Sequence, residues 1–313
     1  HPAPILSLDN AFDPQDIRDW HQRIARLDDR VEKADFTIEP KLDGLTVVLH
    51  YENGTFKQGA TRGNGEVGED INENLRTLNA LPLRIPVIED GPNVPGLLVV
   101  RGEALITKDD FEKLNQRLEK EGKKTYLNPR NTAAGSLRQL DSKVTAQRPL
   151  TLLTYAVVHH EGGNLPGTQW ETLQYLKEVG FPVADSSQHC ETLEEAIEIC
   201  TTTDPDAFPF EVDGMVIKIN DLTLAEDLGV VGKDPRGAIA YKFPAEKVTT
   251  ILQDILKNEG RTGVITPYAV LEPVEISGVI VKQATLHNFD FIEDKHSHNG
   301  DLLLVKRARE VIP

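Results

Sequence analysis

The sequence predicts an α+β chain of two domains, with antiparallel sheets and flanking helices over residues 1–246 and a small β-barrel over residues 247–313. Three observations predict it. In the first region, short strands joined by tight turns at Lys41-Leu42-Asp43-Gly44 and Glu52-Asn53-Gly54 alternate with stretches of amphipathic helical spacing. After Pro244-Ala245-Glu246 that spacing gives way to short runs of Val, Ile and Leu between turns. At 313 residues the chain also has ample core for two domains.

Composition narrows the class. Apolar content of 39%, charged content of 27% and no apolar run of membrane-spanning length read as a soluble globular protein, expected in the cytoplasm with no membrane partner. His1-Pro2-Ala3-Pro4 is no secretory leader, and the missing initial methionine leads us to expect a piece of a longer gene product. Cys190 and Cys200 form no C-x-x-C, so neither a disulfide framework nor a zinc site is expected. The net charge of −16, from 34 basic and 50 acidic residues, argues against nonspecific nucleic-acid binding by the chain as a whole. Local basic clusters remain, at Lys120, Lys123, Lys124, Arg130, Arg138, Lys143 and Arg148 and again at Lys306, Arg307 and Arg309.

Pro4-Ile5-Leu6-Ser7-Leu8 is a short apolar segment. Asp13 and Pro14 mark the start of a helix, Asp16 adds a first-turn acid, and Ile17, Trp20, Ile24 and Leu27 recur at helical spacing. Residues 36–38 and 45–51 read as strands across the Lys41 turn, and Asn53-Gly54 turns the chain into a third strand over 56–61. The G-x-G-x-x-G in Gly63-Asn64-Gly65-Glu66-Val67-Gly68 is weak as a dinucleotide fingerprint. Hairpin strands precede it, and Glu69-Asp70 would repel a pyrophosphate. It reads either as a glycine-rich loop that lets Arg62 reach a phosphate or substrate, or as a plain loop.

Residues 70–78 predict a short helix and 97–106 a strand carrying Arg101-Gly102-Glu103, where a buried Glu103 either pairs with an arginine or faces a site. Thr107 caps a helix with Phe111, Leu114 and Leu118 on one face. Asn128-Pro129-Arg130-Asn131 then opens a small-residue segment that runs to Leu137-Arg138-Gln139, with Arg130 and Arg138 spaced to hold phosphates. Residues 150–158 read as a buried strand, and Thr168 with Glu171 and Thr192 with Glu195 are capping-box patterns. Residues 210–219 form an alternating strand that places Glu211, Asp213 and Lys218 at accessible positions. Residues 237–243 form another, in which Lys242 sits amid apolar neighbours and needs an anion. His159-His160 and His296-x-His298 read as exposed loop histidines rather than metal ligands.

Together these segments supply an amine nucleophile at Lys41, acids at Glu39, Asp43, Glu103 and Asp213, and cations at Arg62, Arg130, Arg138, Lys218 and Lys242. Attack on a phosphoanhydride needs that inventory: an amine, cations for charge growing on phosphoryl oxygens, and acids that can position Mg²⁺. Asp43 and Glu103 are the candidates to reach such a metal through water, with no certain direct ligand.

The chain closely resembles the bacterial NAD⁺-dependent DNA ligases over nearly all of its length. The resemblance rests on Pro4-Ile5-Leu6-Ser7-Leu8-Asp9-Asn10, Lys41-Leu42-Asp43-Gly44, Ala60-Thr61-Arg62-Gly63, Val100-Arg101-Gly102-Glu103, Asn128-Pro129-Arg130-Asn131 through Gln139-Leu140-Asp141, Val212-Asp213-Gly214-Met215-Val216-Ile217-Lys218, Ala240-Tyr241-Lys242-Phe243-Pro244, Gly260-Arg261-Thr262-Gly263 and Ala284-Thr285-Leu286-His287-Asn288. It implies an ATP-grasp-like nucleotidyltransferase (adenylation) domain over 1–246 and an OB-fold over 247–313 that ends before it closes. It further implies a monomer that consumes NAD⁺ with Mg²⁺ and seals nicked double-stranded DNA. Lys41 would take the AMP, pass it to the 5′-phosphate of a nick, and leave the 3′-hydroxyl to displace it. Carried over by motif, Ser7, Leu8 and Glu39 would hold adenosine, Glu103 the ribose, and Lys218 and Lys242 the base face and α-phosphate. Arg62 and Asp43 would assist the chemistry, while Arg130, Arg138 and Arg261 would bind DNA.

By the same resemblance, the family's N-terminal module for the nicotinamide half of NAD⁺ and its C-terminal zinc, helix-hairpin-helix and BRCT modules have no counterpart in these residues. Impaired self-adenylylation from NAD⁺ is therefore expected. Arg309 and Glu259 depart from the family's glycine and apolar residue at those positions, and no arginine stands just before Phe210, which bears on DNA clamping. Two other readings stay open: a core that seals only pre-adenylylated nicks, and a non-catalytic module that binds a nick or adenosine.

Overall fold

The computed structural model describes residues 1–85, 94–244, 247–259, 265–276, 279–295 and 298–306. In chain order its elements begin with β1 (Asp9–Ala11), α1 (Pro14–Ala25), β2 (Phe36–Leu42), β3 (Leu45–Glu52), β4 (Thr55–Thr61), α2 (Asn72–Leu75), β5 (Leu97–Leu105) and α3 (Lys108–Lys120). They continue with α4 (Pro129–Leu137), α5 (Ser142–Ala146), β6 (Thr151–Glu161), α6 (Gln169–Glu178), β7 (Gln188–Cys190), α7 (Leu193–Thr202), β8 (Val212–Ile219), α8 (Leu222–Leu228), β9 (Val230–Val231), β10 (Asp234–Pro235) and β11 (Ala238–Lys242). Last come β12 (Lys247–Glu259), β13 (Ile265–Ile276), β14 (Val279–Thr285), α9 (Phe289–Lys295) and β15 (Leu302–Lys306). The chain divides into two compact units, His1–Phe243 and Pro244–Pro313.

Two sheets build the first unit. One is five-stranded, ordered β1-β11-β8-β2-β7, with β1 parallel to β11 and the other pairs antiparallel; the second is four-stranded, β4-β3-β5-β6, and wholly antiparallel. Ile17, Trp20 and Ile24 of α1 and Ala196, Ile197 and Cys200 of α7 pack with Phe36, Ile38 and Ile217 of the first sheet. Leu173 and Leu176 of α6 and Ala133 and Leu137 of α4 pack with Val47, Leu98 and Val100 of the second. The helix starts follow their capping residues. The Asp13 side chain accepts from the Asp16 N–H ahead of Pro14, and Thr107, Thr168 and Thr192 each accept from the N–H three residues on.

The small-residue segment after Asn128, given no secondary structure from the sequence, is a helix, α4, because Asn128 caps it through the Asn131 N–H and Pro129 fills its first turn. Two expectations are corrected. The helix expected over 70–78 is confined to the four residues of α2. His159 and His160 lie on β6 rather than in a loop, with His159 against Glu161 at 3.4 Å.

The chain crosses between sheets at Asp43-Gly44, since Leu42 pairs with Val212 in the first sheet and Leu45 with Ala104 in the second. The crossing requires a glycine: a Cβ on Gly44 would stand 2.3 Å from the Ala104 carbonyl oxygen.

The second unit is a four-stranded antiparallel sheet, β14-β13-β12-β15. Its pairing slips between Leu252 and Asp254 and between Val270 and Val274, irregularities that coil a sheet toward a barrel. Leu252, Ala269, Leu271, Ile276, Val281, Leu286 and Val305 form its core.

Gly44→Ala is expected to destabilise the first unit by about 2 kcal/mol or more, because the new methyl must displace strand backbone rather than a mobile side chain. Urea denaturation monitored by tryptophan fluorescence measures this, and an unchanged midpoint would refute the close approach.

Candidate active site

Strand register assembles the first group of side chains. Lys41 on β2 and Lys242 on β11 both pair with Gly214 on the intervening β8, so the two lysines flank one residue. A Cβ on Gly214 would lie 2.0 Å from the Tyr241 carbonyl oxygen, so no larger residue fits between them. The β2–β8 register then slips, with Leu42 opposite Val212, which leaves Asp213 as an extra residue on a bulge. Asp213 is 5% exposed, and its Oδ2 accepts from Lys41 Nζ at 2.9 Å and also from Lys242 Nζ. Its Oδ1 is buried with no hydrogen-bond partner among the described residues. The accessible position expected for Asp213 is thus corrected: its carboxylate is buried, and the bulge turns it to the face of Lys41 and Lys242 rather than to the core face of Met215 and Ile217.

Glu39 precedes Lys41 by two residues and therefore shares its face of β2. It is 4% exposed, with Oε2 accepting from Lys218 Nζ and Oε1 from Gln169 Nε2, each at 2.8 Å. The same lysine nitrogen lies 5.5 Å from the centroid of the Tyr155 ring. Lys218, expected at an accessible position, has only 18% of its side chain exposed.

Glu103, opposite Thr46 across β3 and β5, is the third buried carboxylate. Burial pushes its pKa up to about 7, against the opposing pull of the Thr46 hydroxyl and of Arg101, Lys41 and Arg130. The Tyr155 hydroxyl donates to Glu103 Oε2 at 3.4 Å, and burial raises that phenol to about 12. Glu103 thus lies within electrostatic reach of Arg101, Lys41 and Arg130.

The remaining predicted residues are placed differently. Arg130 pairs with Asp43 Oδ1 at 3.0 Å. Arg62 Nη2 donates to Ser7 Oγ at 2.7 Å and its Nε to the Ile5 carbonyl, while Arg101 holds the Leu6 carbonyl at 3.2 Å, so two arginines strap down the segment that ends at half-buried Leu8. Arg138 pairs with Glu69 at 2.8 Å on the surface, away from the carboxylates. Arg261 lies outside the described residues. Among the described residues, no group of three or more His, Cys, Asp or Glu side chains is placed to hold a metal ion.

Gln169, Tyr155 and Arg101 were not singled out from the sequence as site residues. Gln169 sits directly after a recognisable cap, but nothing local signals that its amide reaches Glu39, 130 positions away.

Models of the NAD-dependent DNA ligase adenylation domain and of the NAD-dependent DNA ligase OB-fold domain match residues 1–246 and 249–313. The chain belongs to the NAD-dependent DNA ligase family. The DNA ligase of Roseiflexus castenholzii (strain DSM 13941 / HLO8) is 48% identical over 322 residues, covering 100% of this chain and 45% of that ligase. That of Chloroflexus aggregans (strain MD-66 / DSM 9485) is 48% identical over 321 residues, covering 100% and 47%. That of Halothermothrix orenii (strain H 168 / OCM 544 / DSM 9562) is 48% identical over 315 residues, covering 100% and 46%. The chain spans about half the length of these relatives. The expected adenylation and OB-fold pair is the family's, and the residues gathered around Lys41 all fall within the adenylation match. Among the described residues, no helix is long and apolar enough to cross a membrane.

Glu103 makes stability depend on pH. Its folded pKa of about 7 exceeds the ordinary 4.5, so its contribution is fully present below 4.5 and is lost as pH rises through 7. Glu103→Gln, which cannot ionise, should gain stability relative to the parent across that window, by on the order of 3 kcal/mol. Urea titrations at about pH 4.5 and pH 7.5 measure the gap, and one that does not widen with pH refutes the buried carboxyl's raised value.

Proposed function

We propose that this chain is the catalytic core of an NAD⁺-dependent DNA ligase, acting as a monomer on nicked double-stranded DNA in the cytoplasm. The observation that carries the reading is Lys41, whose Nζ lies 2.9 Å from buried Asp213 with Lys242 on the same carboxylate oxygen. An amine, a proton acceptor and a second cation in one place are what nucleotidyl transfer to lysine needs.

The donor is NAD⁺, consumed as substrate. Its adenosine would lie between Glu39, Lys218 and the Tyr155 ring, covered by Ser7 and Leu8, with Glu103 toward the ribose. Neutral Lys41 attacks the AMP phosphorus; a P–N bond forms, the P–O bond to nicotinamide mononucleotide breaks, and the lysine proton has Asp213 Oδ2 within reach. Lys242 and Arg62 offset charge on the phosphoryl oxygens. An oxygen of the nick's 5′-phosphate then attacks the same phosphorus and the P–N bond breaks, returning Lys41 to its amine. Finally the 3′-hydroxyl attacks the 5′-phosphorus and AMP leaves. Arg130, Arg138 and Arg261 would bind the DNA phosphates, as a chain of net charge −16 must do through local cations.

The donor set fits Mg²⁺ only as an ion that keeps its waters and leans on substrate phosphates. Asp43 is already paired with Arg130, and burial favours the neutral form of Glu103. Asp43, Glu103 and the unpartnered Oδ1 of Asp213 are the groups that would hold such an ion through water, and it would supply charge neutralisation at phosphate.

Intact-mass analysis after prolonged incubation with NAD⁺ and Mg²⁺ should show a partial gain of one adenylyl group on the wild type, in keeping with the impaired self-adenylylation expected, mapped to Lys41, and none on Lys41→Ala. A nick already carrying 5′-AMP, supplied separately, should be sealed. Modification elsewhere than Lys41, or neither adenylylation nor sealing, overturns the ligase reading in favour of a module that only binds adenosine or a nick.

A further inference from the structure

Gln169 is 4% exposed, and its single amide nitrogen donates to Glu39 Oε1 and to the Tyr155 carbonyl oxygen, each at 2.8 Å. Glu39 belongs to the five-stranded sheet and Tyr155 to the four-stranded one, so this amide bridges the seam between them. Both partners only accept, which fixes the nitrogen rather than the oxygen of Gln169 on this side. The backbone that carries it is held in turn by buried Asn220. Gln169 N donates to Asn220 O at 2.7 Å, and Trp170 N donates to Asn220 Oδ1 at 2.9 Å. That oxygen also accepts from Thr37 Oγ1 at 3.1 Å, and Asn220 Nδ2 donates to Asp35 Oδ2 at 2.6 Å.

We infer that Gln169 is a positioning residue that sets base selectivity by holding Glu39 as an acceptor-only edge, an inference that rests on the adenosine site proposed above. With Lys218 donating to one oxygen and Gln169 to the other, Glu39 offers an incoming base nothing but lone pairs. Such an edge takes the exocyclic amine of adenine. It rejects hypoxanthine, whose carbonyl oxygen at the same position would face a carboxylate oxygen with no proton between them. Loss of the bridge frees the carboxylate to rotate, and discrimination falls with it.

The test is calorimetric titration of the full chain with AMP and with inosine monophosphate. Wild type should prefer AMP by about tenfold or more. In Gln169→Met the preference should collapse to within about threefold. In Gln169→Glu two carboxyls face each other and share a proton, so inosine monophosphate gains relative to AMP, increasingly as pH falls. The exchanged pair Glu39→Gln with Gln169→Glu keeps a hydrogen bond across the seam but shows the base an amide, and should also lose the preference. A purely structural role would weaken both nucleotides alike. Folded variants that keep the wild-type ratio overturn the inference, as does unfolding of all three, while wild type that binds neither nucleotide overturns the adenosine site itself.

Discussion

Three carboxylates withdrawn from water, brought from three different strands to the surroundings of Lys41, are the constraint on which the site depends. Glu39, Glu103 and Asp213 are 4%, 7% and 5% exposed, and a buried carboxylate is strongly unfavourable unless cations and hydrogen bonds replace its water. The protein meets the requirement with long side chains reaching down from accessible positions: Lys41, Lys218 and Lys242 keep 25%, 18% and 22% of their side chains exposed while their amines are paired. Each amine is therefore held at a defined place before any phosphate arrives. An anion entering the site competes with a carboxylate for a cation already oriented, so little ordering remains to be done on binding.

That arrangement exists because two sheets meet where the chain changes from one to the other. Lys41 lies three residues before Gly44, the residue whose missing side chain lets β3 approach β5. Lys41 is thus on the five-stranded sheet, while Glu103 and Tyr155 stand on the four-stranded sheet. Neither sheet alone carries the constellation. Interactions that span the seam, such as Gln169 with Glu39 and Tyr155, fix the spacing between the two halves.

Local signals in the sequence were legible where local physics decides the outcome. The caps at Asp13, Thr107, Thr168 and Thr192, the Asn53-Gly54 turn and the strands on either side of the Lys41 turn all depend on residues close in sequence and appear where expected. Lys41, Glu39, Lys218 and Lys242 were recognisable as chemistry-bearing, but their pairings were not, because cross-strand register joins Lys41 to Asp213 across 172 positions, Glu39 to Lys218 across 179 and Lys242 to Asp213 across 29. Asp213 shows the limit most clearly. Strict alternation would put it on the core face with Met215, Ile217 and Ile219, and the bulge opposite Lys41 and Leu42 turns it instead to the face of the two lysines. The helix α4 escaped for a different reason: its Thr, Ala, Gly and Ser residues present no apolar stripe, and packing against β5 and α5 rather than periodicity makes it helical.

Charge balance decides what such a site holds and what it releases. Lys41, Lys218, Lys242, Arg101 and Arg130 lie against Glu39, Asp43, Glu103 and Asp213, and with burial favouring protonated Glu103 this is five cations against three negative charges, an excess of two that suits a phosphate. Under the proposed transfer, Lys41 gives up its charge on forming the P–N bond while the attached phosphoryl group keeps one negative charge, which removes the excess. A covalently held nucleotide then needs no net attraction to stay in place, and the remaining cations remain paired with carboxylates rather than being locked onto the product. Glu103, with its pKa near 7, adds a group that can take up or release a proton as that balance shifts, so neutrality is reached without moving a side chain.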